Sequence, residues 1–223
     1  MEKGWLAVSD GFTYLLQGAW VNLIVVIGAL LFGFAIALPL AMIQVYGKNR
    51  LLRQSVAFYV WFFRGIPLLV CLFLFYFGLF DYLGINFSAF TVAVIVLGLI
   101  SSAYQSQILR GAILSIPEGQ MKAGRAIGMR DAQSIRLIIL PQALRLAIPG
   151  WSNEYSILLK DSAVTYALGV SELMARAHHV ASRTYQHLYL YITAGLLFMI
   201  MTWMGTRLLQ MAQKRLSVPG YFR

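Results

Sequence analysis

Long uncharged apolar stretches alternate with shorter polar ones along this chain, and their lengths are the first clue to its fold. A run from Ala19 to about Tyr46 carries no charge at all. At about 1.5 Å rise per residue it is more than long enough to cross the ~30 Å hydrocarbon core of a bilayer. Further runs cover about Val56 to Phe80, Ala89 to Leu109, Ile138 to Leu159 and Leu188 to Leu209. Each reads as a membrane-spanning helix, which makes the chain an all-α, polytopic membrane protein of about five transmembrane helices. Pro39 is expected to kink the end of the first span. Arg64-Gly65-Ile66-Pro67 interrupts the second. The third turns polar at Ser101, Ser102, Tyr104, Gln105, Ser106 and Gln107, and the fourth carries Pro141, Pro149 and Glu154. Residues 47–54, 81–88 and 160–187 read as connections, and 1–223 as a single transmembrane domain.

Composition agrees with that pattern. Of 223 residues, 60% are hydrophobic and 12% charged, with a mean hydropathy of +0.72. Soluble domains carry about 25% charged residues, so lipid must solvate much of this surface. The net charge is +10. In a soluble protein that would suggest nucleic acid; here it is a topology signal. Lys48, Arg50 and Arg53, then Arg110, Lys122, Arg125, Arg130, Arg136 and Arg145, then Lys214, Arg215 and Arg223 all fall on one side of a five-span chain. The other side holds Lys3, Arg176 and Arg183. Positive charge concentrates inside, so the N-terminus is expected outside and the C-terminus in the cytoplasm. Topology accounts for the charge and leaves no case for nucleic acid. Cys71 is the only cysteine, which excludes an internal disulfide and a thiolate metal cluster. No cleavable leader is expected, because the first apolar run is too long and lacks a basic flank.

The longest polar interval is Pro117 to Pro141, PEGQMKAGRAIGMRDAQSIRLIILP. Residues 119–135 can form an amphipathic helix with Met121, Gly124, Ile127 and Gly128 near one face. Small residues there would let a partner's backbone approach. Pro117 suits a helix start, and Gly128-Met129 a bend or end. Two readings stand on the residues alone: a helix lying on anionic lipid head groups, or a docking surface for a soluble partner.

The spacing in this interval resembles the cytoplasmic signature of permease subunits of ATP-binding-cassette importers, in its polar amino-acid form. The family pattern runs Gly-Gln, then Glu-Ala-Ala, three residues, Gly, nine residues, then Ile-x-Leu-Pro. Here Gly119-Gln120 is followed by Lys122-Ala123-Gly124, Gly128 and Ile138-Ile139-Leu140-Pro141. The departure is Lys122-Ala123-Gly124 in place of Glu-Ala-Ala. Phe63-Arg64-Gly65-Ile66-Pro67-Leu68-Leu69 is similar to the family's Phe-Arg-Gly-Thr-Pro-Leu-Leu. Ala103-Tyr104 through Arg110-Gly111-Ala112 resembles another of its motifs, with Gln107 replacing the usual Glu. Leu159-Lys160-Asp161-Ser162 and Gly169-Val170-Ser171-Glu172-Leu173 resemble two more. The resemblance implies a permease that forms a pore with a second permease subunit, identical or paralogous, in a prokaryotic inner membrane. It implies a coupling helix at about 119–133, with Glu118, Gly119, Gln120, Lys122, Ala123, Gly124 and Gly128 at the contact with an ATPase. It further implies two ATP-binding subunits, which hold the ATP and Mg, and an extracytoplasmic solute-binding protein. The chain has no Gly-x-x-x-x-Gly-Lys-[Ser/Thr] loop, so nucleotide chemistry is assigned elsewhere and no enzyme activity is expected of it.

Several residues are candidates to handle a polar amino-acid substrate. A carboxylate in a span costs roughly 2.5–3.5 kcal/mol on insertion scales, so it faces a cavity or a partner. Glu154 is the clearest case. Asp161 lies seven residues on, hence on the same helix face. Gly150 would leave room beside Glu154. Such a face suits an ammonium group and, with two carboxylates, a basic side chain. Ser152-Asn153-Glu154 is similar to the segment in permeases for histidine or arginine. The alternative is that Glu154 pairs with a cation such as Arg64 and holds the fold. Arg64 either meets a substrate carboxylate or braces the kink at Gly65–Pro67. Gln105 and Gln107 either bond substrate or bond across helices. Lys160 and Asp161 form an external gate or an interfacial ion pair. His178, His179 and His187 lack the Cys or carboxylate company of a metal set. Ser171 lacks the glycine of a nucleophile elbow. A secondary transporter or channel is the rival reading, but no inverted repeat is visible in the chain.

Overall fold

The computed structural model describes residues 2–216, with side chains from Gly4 onward; Arg223 lies outside that range and only the backbone of Lys3 is described. Among the described residues every regular element is helical. The first, α1, spans Glu2–Tyr46, passing through Pro39. It therefore starts well before the uncharged run that marks it in the sequence. Helix α2 (Arg50–Gly65) is capped by Asn49, whose Oδ1 accepts from Leu51 N at 2.9 Å and Leu52 N at 3.3 Å. That cap places Arg50 and Arg53 on a helix, not in the loop expected at 47–54.

At Ile66–Pro67 the chain turns by 108° into α3 (Leu68–Phe73), which continues as a π-helical stretch, Leu74–Phe80. Proline forces the residue before it out of the helical region, and Ile66 is extended at φ −98°, ψ 134°. The interruption read from Arg64–Pro67 is thus a sharp corner. Helix α4 (Ala89–Leu114) opens on Ser88, whose Oγ accepts from Thr91 N. Helix α5 (Glu118–Ala126) and α6 (Asp131–Ser134) follow, the latter running into a π-helical stretch, Ile135–Ile139.

The fourth apolar run is not one helix. It divides into α7 (Leu140–Leu146) and α8 (Ile148–Asp161), with a proline in the first two positions of each. A proline lacks the N–H that would carry the helix across the junction. A 3₁₀ stretch, Ser162–Leu168, ends at Gly169 with φ 90°; then come α9 (Leu173–Thr184) and α10 (His187–Arg215). The mixed region 160–187 therefore contains an ordered helix. Its buried face is Leu173, Ala177 and Ala181, at i, i+4 and i+8.

Among the described residues three helices, α1, α4 and α10, are long and apolar enough to cross a membrane, and α2 with α3 and its π-helical continuation makes a fourth if the bent pair counts as one. The core forms where α1 and α4 run side by side. Ala29, Gly33, Ala37 and Ala41 repeat every four residues on α1 and are buried. Small residues at this spacing let helix backbones approach closely in lipid. A side-chain carbon on Gly33 would sit 2.9 Å from the Gly98 carbonyl oxygen and 2.9 Å from Gln105 Nε2. Helix α10 packs on α8, where the ring of Tyr155 occupies the space beside Gly205 and its hydroxyl donates to the Met201 carbonyl (3.0 Å).

Candidate functional site

Three helices bring Glu154, Ser101 and Gln105 into one network. Glu154, on α8, is 4% exposed, and its Oε1 accepts from Ser101 Oγ of α4 at 2.6 Å. Gln105, one turn along α4, donates from Nε2 to Ser101 Oγ (3.1 Å) and to the Leu30 carbonyl of α1 (3.1 Å). The result is a buried chain from α8 through α4 to α1. Arg64 is not the partner of Glu154. Gly150 does not leave an open space either, because a side-chain carbon there would meet Ile108 Cγ2 of α4 at 2.5 Å. The missing side chain serves the α4–α8 contact.

Arg64 and Gln107 belong to a different place. They line an open cavity of about 490 Å³ between α1, α2 and α4, together with Gln44, Trp61 and Tyr104. The Arg64 guanidinium lies over the Tyr104 ring, 4.9 Å from its centroid. Gln107 Nε2 donates to Gln44 Oε1 at 2.8 Å. Of the six candidate substrate residues, then, Glu154 and Gln105 share one buried network, and Arg64 and Gln107 share one cavity. Asn153 is exposed on α8. Asp161 ends α8, half-buried, and is not within ion-pair distance of Lys160: the ion pairs among the described residues are Lys122–Glu118 and Arg125–Asp131. His178 Nδ1 shares a hydrogen bond with the Tyr191 hydroxyl at 2.8 Å.

The interval from Pro117 to Pro141 folds as a bracket, not as a continuous helix over 119–133. Helix α5 ends at Ala126, and Gly128 turns the chain at φ 82°, a left-handed conformation that glycine adopts without a Cβ penalty. Helix α6 then starts, with Gln133 Oε1 accepting from Arg130 N. A bidentate ion pair closes the turn: Arg125 Nε to Asp131 Oδ1 at 2.7 Å and Nη2 to Oδ2 at 3.0 Å. That bond holds the Asp131 carboxyl below its ordinary range. The pair is complete above the usual carboxylate range and is lost as pH falls through the lowered value.

Glu118, Gly119, Gln120, Lys122, Ala123 and Gly128 are exposed on this bracket. Gly124 is buried. A side-chain carbon on it would strike Ser134 Oγ, so its smallness serves the contact of α5 with its own chain. The departure at Lys122-Ala123-Gly124 thus has a partial physical reason. An alanine at 124 would force the Ser134 side chain to shift, and Lys122 lies 3.6 Å from Glu118 one turn back, where a glutamate would be repelled.

One cluster went unassigned in the sequence. Asn22, Ser162 and Glu172 are each fully buried. Asn22 Nδ2 donates to Ser162 Oγ (2.8 Å) and to Glu172 Oε2 (3.2 Å), while Glu172 caps α9 by accepting from Ala175 N at 2.6 Å and Met174 N at 2.9 Å. Asn22 Oδ1 accepts from Leu173 N. The available signal was Asn22 itself, a polar residue inside an uncharged apolar run.

Comparison with known proteins places the chain. Residues 29–218 match a family model described as binding-protein-dependent transport system inner membrane component. A probable amino-acid permease protein, YxeN of Bacillus subtilis, is 34% identical over 220 residues, 96% of each chain. The octopine transport system permease protein OccQ of Rhizobium meliloti is 37% identical over 181 residues, 76% of each. Among solved structures, an amino acid ABC transporter crystallised with histidines superposes with a TM-score of 0.85 at 31% identity, covering 94% of this chain and 97% of the other. The MetNI methionine ABC transporter superposes at 0.75 with 20% identity, covering 92% and 96%, which supports the fold alone. On these grounds the chain belongs to the family of binding-protein-dependent transport system inner membrane components.

Proposed function

We propose that this chain is the membrane-spanning permease subunit of an ATP-driven importer of polar amino acids. Relatives in Bacillus subtilis are named as probable amino-acid permeases, and the α5–α6 bracket is the observation that carries the coupling part of the reading. A polar unit with exposed Glu118, Gln120 and Lys122, braced by the Arg125–Asp131 pair, is built to receive force from outside the bundle. In this reading two ATP-binding subunits, carrying ATP and Mg, dock on it. A second permease subunit completes the pore, and an extracytoplasmic binding protein delivers the substrate. Five spans and an outside N-terminus complete the topology, with α7 and α8 together as the fourth span.

Substrate passage requires two packings of the bundle, and nucleotide binding in the partner shifts the balance between them. Glu154 is the residue through which a substrate ammonium would be met. It would exchange the Ser101 hydroxyl for substrate when α4 and α8 part. A preference for basic amino acids follows from the second carboxylate, Asp161, on the same helix.

The deciding measurement is ATP hydrolysis by the complex purified with its ATPase and reconstituted with binding protein. Hydrolysis stimulated by an amino acid supports the reading. Uptake driven by an ion gradient with no ATPase would replace it with a secondary transporter.

A further inference from the structure

A second cavity, of about 620 Å³, opens where α1 ends, α2 begins and α4 nears its end. Lys48, Arg50, Arg53 and Arg110 line it. No acidic residue does; Lys48 also borders a neighbouring hollow that holds Glu118 and Asp131, while Arg50, Arg53 and Arg110 take part in no ion pair among the described residues. Gln44 lines it as well, and its Nε2 is buried without an acceptor. Gln54 completes the polar lining, and the Gln44 oxygen is already taken by Gln107, so donors dominate the site. Four cations converging on one hollow repel one another, and an isolated buried amide N–H₂ costs free energy. Both penalties are relieved by an anion with several oxygens, such as a phosphate.

Topology does not explain this convergence. Arg130, Arg136 and Arg145 satisfy the same charge rule without approaching the cavity. The four cations come from parts of the chain as far apart as Lys48 and Arg110. On α2, Arg50, Arg53 and Ala57 are spaced so that one face of the helix lines the hollow.

The position points to lipid and not to a free ion. The uncharged run of α1 ends just before Lys48, and Arg110 is the first charge after the apolar stretch of α4. The cavity thus lies at the level where hydrocarbon gives way to head groups. Leu51 and Leu52, on the same turn of α2 as Arg50 and Arg53, are 72% and 53% exposed and offer apolar surface for acyl chains. We infer that this cavity is a binding site for the phosphate head group of an anionic phospholipid, held by Arg50, Arg53, Arg110 and Lys48 with Gln44.

The test uses the transporter complex with its co-purifying subunits, delipidated and reconstituted into nanodiscs of phosphatidylcholine, with or without phosphatidylglycerol. Phosphatidylglycerol is expected to remain bound through mild delipidation and to raise the unfolding temperature, with no effect from phosphatidylcholine. Arg53→Gln with Arg110→Gln is expected to lower retention about tenfold, and Arg53→Lys with Arg110→Lys to restore most of it. Arg145→Gln with Arg215→Gln removes the same charge elsewhere and is expected to leave retention unchanged. Equal retention in the two glutamine variants overturns the site. Equal protection by inorganic phosphate alone overturns the lipid assignment in favour of a free anion. If the glutamine variant does not assemble, the three wild-type arms decide the matter.

Discussion

A single hydrogen bond changes what Glu154 can be. Ser101 Oγ donates to its Oε1, and Gln105 Nε2 donates to Ser101 in turn, so the carboxylate is anchored without a cation. Glu154→Gln keeps an acceptor oxygen for Ser101, removes the charge and puts an N–H₂ in place of the second oxygen. The variant is expected to raise the KM for a basic amino acid about tenfold, or ~1.4 kcal/mol, and to change that for a neutral one far less. Uptake kinetics in proteoliposomes measure this, and equal losses for both substrates would remove Glu154 from specificity. Glu172 plays a different part. It accepts from two backbone N–H groups of α9 and from Asn22. Glu172→Ala uncaps the Met174 and Ala175 N–H groups and leaves Asn22 Nδ2 with Ser162 alone, and is expected to cost about 2 kcal/mol, whereas Glu172→Gln costs less. Thermal unfolding of the purified protein reports the difference, and an unchanged midpoint for the alanine variant would count against the cap.

Elements follow local rules where those rules are strong. Pro67 makes the corner between α2 and α3, Asn49 starts α2, and Gly128 ends the α5 segment with a left-handed turn. Nothing lies within 4 Å of where a Gly128 side chain would begin, so substitution meets no clash and acts through backbone strain alone. Gly128→Val is expected to distort the bracket by about 1–2 kcal/mol of conformational cost while the chain still inserts. Asn tolerates this region, so Gly128→Asn is expected to behave nearly as wild type. Co-purification of the ATPase with each variant tests this; an intact complex carrying valine would show that the turn is not needed for docking. Helix α9 was less visible. Leu173, Ala177 and Ala181 sit at helical spacing, but Arg176, His178, His179 and Arg183 between them made the segment look like a polar connection. Its burial depends on α1 packing over it: a carbon on Gly18 would lie 2.7 Å from the Leu173 Cα.

At the scale of the molecule, the spans and their direction can be tested together. Lys48→Cys and His179→Cys, each in a Cys71→Ala background, place one thiol on each exposed end region. With five spans an impermeant maleimide labels position 48 from the cytoplasm and 179 from outside. Labelling of both from one side would mean that α7 and α8 do not cross. The order of residues is enough to read a helical chain solvated by lipid, the place of the polar bracket and the family motifs. These are properties of apolar run length, charge placement and spacing, all readable along one dimension. Which polar groups meet depends on how the helices pack in three dimensions. Ser101 finds Glu154 53 residues away, and Asn22 finds Glu172 across 150. Packing also turned Gly124 inward against Ser134 and split Glu154 from Arg64. Apolar helices in lipid present many faces of similar hydropathy, and only the close approach of small residues such as Gly33 and Gly98 selects the faces that touch.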